Sequence, residues 1–150
     1  MKIKYTIRNI QPRDIVPLSY VYRCYFSQVT RGREPWPLGQ AQKRMTELLR
    51  QSRVYGWVAV VSGWPIGFIF FQIKTGFKGE YVELLETAVH HFFDGLEIHE
   101  ALIAKLKKYI QKKKIHLIYT ILYDSYAHHK KLLTSQKFRP SRRSLVYRWK

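Results

Sequence analysis

Two apolar runs separated by a short turn constrain this chain more than any other feature. The runs lie within VYGWVAVVSGWPIGFIFFQIKT (54–75), and the turn between them is SGWP (62–65). Short apolar runs around a glycine-containing turn predict a β-hairpin. A second turn, GFKG (76–79), leads into EYVELLETAVH (80–90), which predicts a third strand. The middle of the chain should therefore form an antiparallel meander, and neither run approaches the roughly 20 residues that a membrane span needs.

Helices and further strands are predicted on both sides of this meander. Asp14 is expected to be the N-cap of the first helix. The apolar segment 115–123 predicts a strand that is buried on both faces. The whole order is β-α-α-β-β-β-α-β-α-β, which predicts one α/β domain over residues 1–150, with helices on the faces of a mixed (α+β) sheet. Outside the meander the predicted elements are a strand at 4–10, a helix from Asp14, a helix at 40–52, a helix with Ile98, Leu102, Leu106 and Ile110 facing inward, the strand at 115–123, a helix at 125–136 and a closing strand within 138–149.

Positive charge is the strongest global signal. The formal net charge is +17, and it is concentrated in the last third of the chain. A field of this sign attracts polyanions, which predicts a nucleic acid or a nucleoprotein as partner. A solvated basic surface is the alternative explanation, and whether Tyr147 and Trp149 stack on bases or pack on the sheet stays open. The candidate nucleic-acid contacts are Lys105, Lys108, Lys112, Lys113, Lys114, Arg142 and Arg143.

Cysteine and histidine usage excludes several classes. Cys24 is the single cysteine, so an internal disulfide cannot form, and a reducing, cytoplasmic location is expected. The charged N-terminus does not resemble a signal peptide, and no membrane association is expected. His90, His91 and His99 are close in sequence, but HEALIAK (99–105) lacks the second histidine of a His-Glu-x-x-His zinc motif. No metal site is therefore expected.

The element order resembles the GNAT fold of acyl-CoA-dependent N-acetyltransferases over nearly the whole chain. IRNIQPRDIVPL (7–18) is similar to the first strand and helix start of that family, and WVAVVSGWPIGFIFF (57–71) to its central hairpin. AVHHFFDGLEIHEALI (88–103) stands where the family binds the pyrophosphate of acyl-CoA. LLTSQKF (132–138) stands where the family has Leu-Tyr-x-x-x-Gly-Phe, and VTRGREPWP (29–37) resembles the loop that borders the acceptor site.

The resemblance implies an acetyl-CoA site, but the motif departs from the family pattern. The family motif usually reads Arg-Gly-x-Gly-Ile-Gly, and this chain has Asp94-Gly95-Leu96-Glu97-Ile98-His99. Carboxylates repel phosphates, and larger side chains fill the space that glycine leaves. Acetyl-CoA binding is therefore doubtful, and the acids suit a capped helix start equally well. The implied cofactor contacts are Val89, Gly95, Leu96, Ile98 and His99.

The catalytic residues implied by the resemblance are also incomplete. A carboxylate on the fourth strand often serves as general base, which implicates Glu83 and Glu86. Alternation should place Glu86 on one face with Val82, Leu84 and Ala88, partly shielded from water. The family's acid, a tyrosine on the last helix, aligns with Leu133, and its glycine with Lys137. Tyr126 could replace that acid only if the alignment shifts.

These features predict an acetyltransferase-like protein that acts at RNA or a ribonucleoprotein, with doubtful catalysis. An active N-acetyltransferase with unusual cofactor contacts is one alternative, and a scaffold that binds protein partners through the hairpin and exposed aromatics is another. A homodimer is compatible with either.

Overall fold

The structure, a computed structural model, describes residues 3–33, 35–93, 96–120 and 127–139. The predicted order is confirmed from the first strand to the last helix, whereas the closing strand falls largely on residues 140–150, outside the described residues. Two short 3-10 turns, Pro12–Asp14 and His91–Phe93, precede the first and third helices. The other elements are β1 (Thr6–Asn9), α1 (Ile15–Val29), α2 (Leu38–Arg50), β2 (Val54–Val61), β3 (Trp64–Gly76), β4 (Gly79–Val89), α3 (Leu96–Lys112), β5 (Ile118–Thr120) and α4 (Ala127–Ser135).

The described strands form one mixed sheet in the order β1-β2-β3-β4-β5. Strands β1 to β4 are antiparallel neighbours, and β5 runs parallel to β4. The predicted hairpin turn is confirmed: Ser62 and Gly63 have φ values of 47° and 86°, as the two central residues of a type I′ turn require. None of the described helices is long and apolar enough to cross a membrane.

Each face of the sheet packs against its own helices. Helices α1 and α2 cover one face, where Tyr22 and Met45 pack with Phe68 and Phe70 of β3. Helices α3 and α4 cover the other face, with a core that contains Leu102, Leu106, Leu132, Ile69 and Phe71. The alternating β3 residues thus serve both cores, which explains why IGFIFF is continuously apolar. The sheet is the central layer of three.

Gly67 allows the third helix to begin close to the sheet. A Cβ atom at this position would lie 2.9 Å from Val89 Cγ2, 3.1 Å from the Ala88 carbonyl oxygen and 3.5 Å from Ile98 Cγ2. Since a backbone oxygen cannot move aside as a side chain can, only glycine fits without strain. This contact fixes the end of β4 against the first turn of α3.

The prediction that segment 115–123 is buried on both faces is wrong for its described part. Ile115 is buried, but Leu117 and Tyr119 are exposed. Helices α1 and α2 contact β2, β3 and β4. Because β5 lies at the far side of β4, its residues on that face extend beyond this layer. Tyr119 instead meets Tyr81 edge to face, with ring centroids 5.5 Å apart.

Asp14 precedes α1 as predicted, but its side chain does not cap that helix. The carboxylate turns back and accepts hydrogen bonds from both terminal nitrogens of Arg8, at 2.7 and 2.8 Å, and from the Gln11 backbone N–H at 2.8 Å. Burial by itself would raise the pKa of Asp14. The hydrogen bonds from Arg8 and Gln11 outweigh it, so the pKa lies below its usual value. The pair ties β1 to the start of α1.

Candidate active site

The segment between β4 and α3 lies where the resemblance places the pyrophosphate loop. Strand β4 ends at Val89, the 3-10 turn His91–Phe93 follows, and α3 begins at Leu96. Asp94 and Gly95 lie outside the described residues. A 17-residue helix that starts at the end of a central strand presents backbone N–H groups and a positive dipole end, which favour anions.

Three of the residues predicted to contact the cofactor have buried side chains. Val89, Ile98 and His99 are all buried in the core. The His99 ring lies edge to face with Tyr25 of α1, at a centroid distance of 5.6 Å. Only the backbone of these residues is therefore available to a ligand. Glu97 is exposed in the first turn of α3, where its charge opposes a pyrophosphate.

A β-bulge changes the expected orientation of Glu86. Phe70 pairs with Glu86 while Phe71 pairs with Leu84, so Leu85 is an extra residue in β4. Beyond the bulge the alternation is reversed. Leu84, like Val82, packs in the core under α3, whereas Glu86 and Ala88 lie toward α1 and α2. The expectation that Glu86 shares a face with Val82 and Leu84 is therefore wrong, whereas the expectation that it shares a face with Ala88 is confirmed.

Glu86 forms a shielded ion pair with α2. Arg44 Nε donates to Glu86 Oε1 at 2.6 Å, and the two side chains are 35% and 10% exposed, respectively. The other carboxylate oxygen, Oε2, is buried without a hydrogen-bond partner among the described residues. Burial of Glu86 agrees with the sequence prediction. Its arginine partner was not predicted, because Arg44 is distant in sequence and no short motif connects them.

The other two predicted catalytic residues do not join this pair. Glu83 forms an ion pair with Lys74 on the neighbouring strand. The hydrogen bond from Lys74 to this carboxylate raises the pKa of Lys74. Tyr126 lies outside the described residues. Of the catalytic candidates, Glu86 is the described carboxylate most shielded from water.

Helix α4 is terminated by a left-handed residue, Lys137, which aligns with the family's glycine. The Lys137 N–H donates to the Thr134 carbonyl at 3.0 Å, and the Phe138 N–H donates to the Leu133 carbonyl at 2.9 Å. This pair of bonds is a Schellman motif, whose C′ residue takes a left-handed conformation. Lys137 has a φ of 65°. Leu133 is buried in the core and offers no proton at the position of the family's acid.

We expect Lys137→Gly to raise the free energy of unfolding by about 1 kcal/mol, because glycine adopts a left-handed φ without the Cβ penalty. Urea unfolding followed by circular dichroism measures the change. Lys137→Ala is the matched control, since it removes the same charge but keeps the Cβ. An equal gain in both variants would attribute the effect to charge rather than to backbone strain.

The predicted nucleic-acid lysines divide into two groups. Lys105 lies 5.3 Å from the centre of the Trp57 ring, and Lys113 lies 5.9 Å from that of Tyr109. The second group, Lys108, Lys112 and Lys114, is exposed near the end of α3. Lys108, Lys112, Lys113 and Lys114 form no ion pair with a described carboxylate. Arg142 and Arg143 lie outside the described residues.

A cleft lies beside the β4–α3 segment, and Trp36 of the loop that the resemblance places at the acceptor site lines it. The cleft has a volume of about 530 Å³. Its walls come from α1, from the loop before α2 and from the turn after β4. Burial lowers the pKa of His90 in that turn, and the charge of the adjacent His91 lowers it further. The lining includes Tyr20, Arg23, Cys24, Ser27, Trp36 and His91.

Comparison with solved structures assigns the fold. A possible acetyltransferase from Clostridium difficile 630 has a TM-score of 0.82 at 15% identity, over 97% of each chain. A ribosomal-protein-alanine N-acetyltransferase from Brucella melitensis biovar Abortus 2308 has a TM-score of 0.78 at 20% identity, over 97% of this chain and all of the other. An aminoglycoside N-acetyltransferase in complex with CoA has a TM-score of 0.76 at 17% identity, over 99% and 97% of the two chains.

These likenesses cover the whole architecture. The chain therefore has the fold of the GNAT acetyltransferases, as the sequence resemblance predicted. Neither a family model nor a curated protein sequence matches it.

Proposed function

We propose that this GNAT-fold protein binds RNA or a ribonucleoprotein through the C-terminal part of α3, with its acyl-CoA chemistry reduced. The observation that carries this proposal is the row Lys108, Lys112, Lys113 and Lys114, all exposed. Residues 101–120 contain no acidic side chain. Lys108 and Lys112 are four residues apart on α3 and therefore share one face of the helix. Each phosphate that exposed lysines neutralise releases a counterion.

The residues at the candidate catalytic positions support a weak or absent acyl-transfer activity. The candidate base, Glu86, is held by Arg44, and a leucine buried in the core replaces the family's tyrosine acid. Glu97 places a negative charge in the first turn of α3. One of the similar structures is named for a ribosomal protein as its substrate, which makes a ribosomal setting a reasonable one for this fold.

The double variant Lys108→Glu/Lys112→Glu tests the surface. In fluorescence titrations with a single-stranded RNA at several salt concentrations, we expect the slope of log K against log salt to fall in magnitude by about 1.4, because each phosphate that is no longer neutralised accounts for about 0.7. Affinity at moderate salt should fall at least about tenfold.

Lys43→Glu/Lys78→Glu is the matched control, because both lysines are exposed elsewhere and the net charge changes equally. This control should keep most of the wild-type slope. Equal losses of RNA affinity in the two double variants would show that net charge alone drives binding. The assignment of the binding site to α3 would then be wrong.

An active N-acyltransferase is a second candidate function, favoured by one observation. Glu86 keeps a buried oxygen, Oε2, that accepts no hydrogen bond from the described residues. A carboxylate in this state can accept a proton from an attacking amine. Backbone N–H groups at the start of α3 would then have to bind the cofactor without help from basic side chains.

Calorimetry with acetyl-CoA, with inorganic tripolyphosphate as the charge control, distinguishes the two candidates. Reduced acyl-CoA chemistry predicts the same weak heat for both ligands, because a basic protein attracts any polyanion. Stoichiometric binding of acetyl-CoA alone would favour the enzyme, and Glu86→Gln should then lower kcat about 100-fold while leaving the fold intact. If neither RNA nor acetyl-CoA binds, the remaining candidate is a scaffold that binds protein partners through the hairpin and exposed aromatics such as Trp64.

A further inference from the structure

Beside the β4–α3 segment, one thiol and two imidazoles from two distant parts of the sequence lie close together. Cys24 lies on α1, and His90 and His91 follow β4. The Cys24 sulfur and one nitrogen of each imidazole all lie within 4.8 Å of one another. Cys24 and His90 are half-buried, whereas His91 is exposed and lines the cleft. No sequence spacing announces this group, which is why the sequence predicted no metal site.

We propose that Cys24, His90 and His91 form a zinc-binding site whose fourth position opens into the cleft. A thiolate with two imidazoles is a ligand set that Zn²⁺ accepts, and three protein ligands with one open position are typical of zinc sites that also bind water or a ligand. In a tetrahedral site with Zn–S near 2.3 Å and Zn–N near 2.1 Å, ligand atoms lie roughly 3.5 Å apart.

The side chains can reach that geometry by small rotations. The exposed His91 ring stacks on His90 with centroids 4.4 Å apart and also contacts the exposed Phe92, so its rotation would displace only side chains at the surface of the cleft. His90 Nδ1 accepts a 3.3 Å hydrogen bond from the Phe92 N–H, which is long and therefore weak. Binding through Nδ1 would replace that bond, and the Cys24 S–H proton would pass to the buffer as the Zn–S bond forms.

The positive charge near the site determines which kind of fourth ligand is favoured. Arg23 lines the same cleft, and its Nε donates a hydrogen bond to the Trp36 carbonyl at 2.8 Å. A zinc ion held by one thiolate keeps a net positive charge, and the guanidinium adds to it, so an anionic fourth ligand is favoured. The metal would also connect α1 to the turn that precedes α3, and binding to the folded state alone should therefore stabilise the protein.

Titration of the untagged, reduced, chelator-treated protein with Co²⁺, followed by competition with Zn²⁺, tests this site. We expect a one-to-one complex with a thiolate-to-cobalt charge-transfer absorption that Zn²⁺ abolishes. Zinc at a hundredfold excess over Kd should raise Tm by about 5–10 °C. Cys24→Ser should abolish the charge-transfer absorption, and His91→Gln should weaken Co²⁺ binding at least about tenfold.

His116→Gln is the matched control, because His116 is exposed and lies after α3, outside the cleft. Its affinity should equal that of the wild type. The proposal is overturned if the wild type shows no charge-transfer absorption, if Cys24→Ser binds cobalt as the wild type does, or if the two histidine variants lose equal affinity. Circular dichroism of each variant verifies that the fold is retained. These readouts are independent of RNA and acetyl-CoA binding.

Discussion

Replacing Arg44 with alanine is expected to lower the free energy of unfolding by about 3 kcal/mol. Arg44 is the partner of a carboxylate that is only 10% exposed, and removing one member of a buried ion pair leaves an uncompensated charge in a region of low polarity. Glu86 cannot regain water easily, because Phe70 pairs with it on one side and the α2 layer covers it on the other. Urea unfolding at neutral pH measures the loss.

The two partners should respond unequally. Glu86→Gln is expected to cost less than Arg44→Ala, because glutamine still accepts the hydrogen bond and the 35% exposed Arg44 side chain can be hydrated. The double variant Arg44→Met/Glu86→Leu should recover much of the loss, since apolar side chains of similar volume avoid the cost of a buried charge. If Arg44→Ala lowers the free energy of unfolding by no more than about 0.5 kcal/mol, the Glu86 carboxylate is hydrated and is not shielded from water.

Replacing Asp14 with asparagine is expected to cost about 2 kcal/mol at pH 7, the usual range for hydrogen bonds to a charged group. The asparagine amide oxygen can take the place of Oδ2 and accept from Arg8 Nη1 and the Gln11 N–H. Its NH2 group then replaces Oδ1, so Arg8 Nη2 loses its acceptor. The effect should depend on pH. Because the pKa of Asp14 is lower in the folded state than in the unfolded state, its stabilisation is present above the unfolded pKa and is lost as pH falls through the folded one.

The difference between wild type and Asp14→Asn should therefore shrink as the pH falls below about 4, near the unfolded pKa of aspartate. Thermal unfolding at a series of pH values measures it. Glu80→Gln is the control, since Glu80 also pairs with an arginine, Arg53, but in solvent, where such pairs contribute little. A constant difference across this pH range would mean that Asp14 acts through packing rather than through its charge.

The architecture was predictable because its signals are local. The two apolar runs and the turn at Ser62 and Gly63 specify the hairpin, and the spacing of Ile98, Leu102, Leu106 and Ile110 specifies the buried face of α3. Both patterns act within a few residues, and tertiary packing agrees with them. The burial of β5 was mispredicted because the extent of the covering helix layer is not a local property.

The site was less predictable because its determinants are not local. Strict alternation assigned Glu86 to the wrong face, since the extra residue at Leu85 has no sequence signature. Lys137 replaces the family's glycine, yet its backbone adopts a left-handed conformation, which a lysine in the sequence does not indicate. The proximity of Cys24 to His90 and His91 depends on how α1 packs against the end of β4, which no spacing encodes.

The bulge in β4 also determines where this strand can change its length. Phe70 and Phe71 of β3 already face Glu86 and Leu84, so deletion of Leu85 would join two pairs that are already in register. Every other side chain of β4 would keep its present face. Deletion elsewhere in the strand would instead turn the residues on one side of the gap from one core to the other. Leu85 is thus the position at which β4 can lose a residue while its other side chains keep their faces.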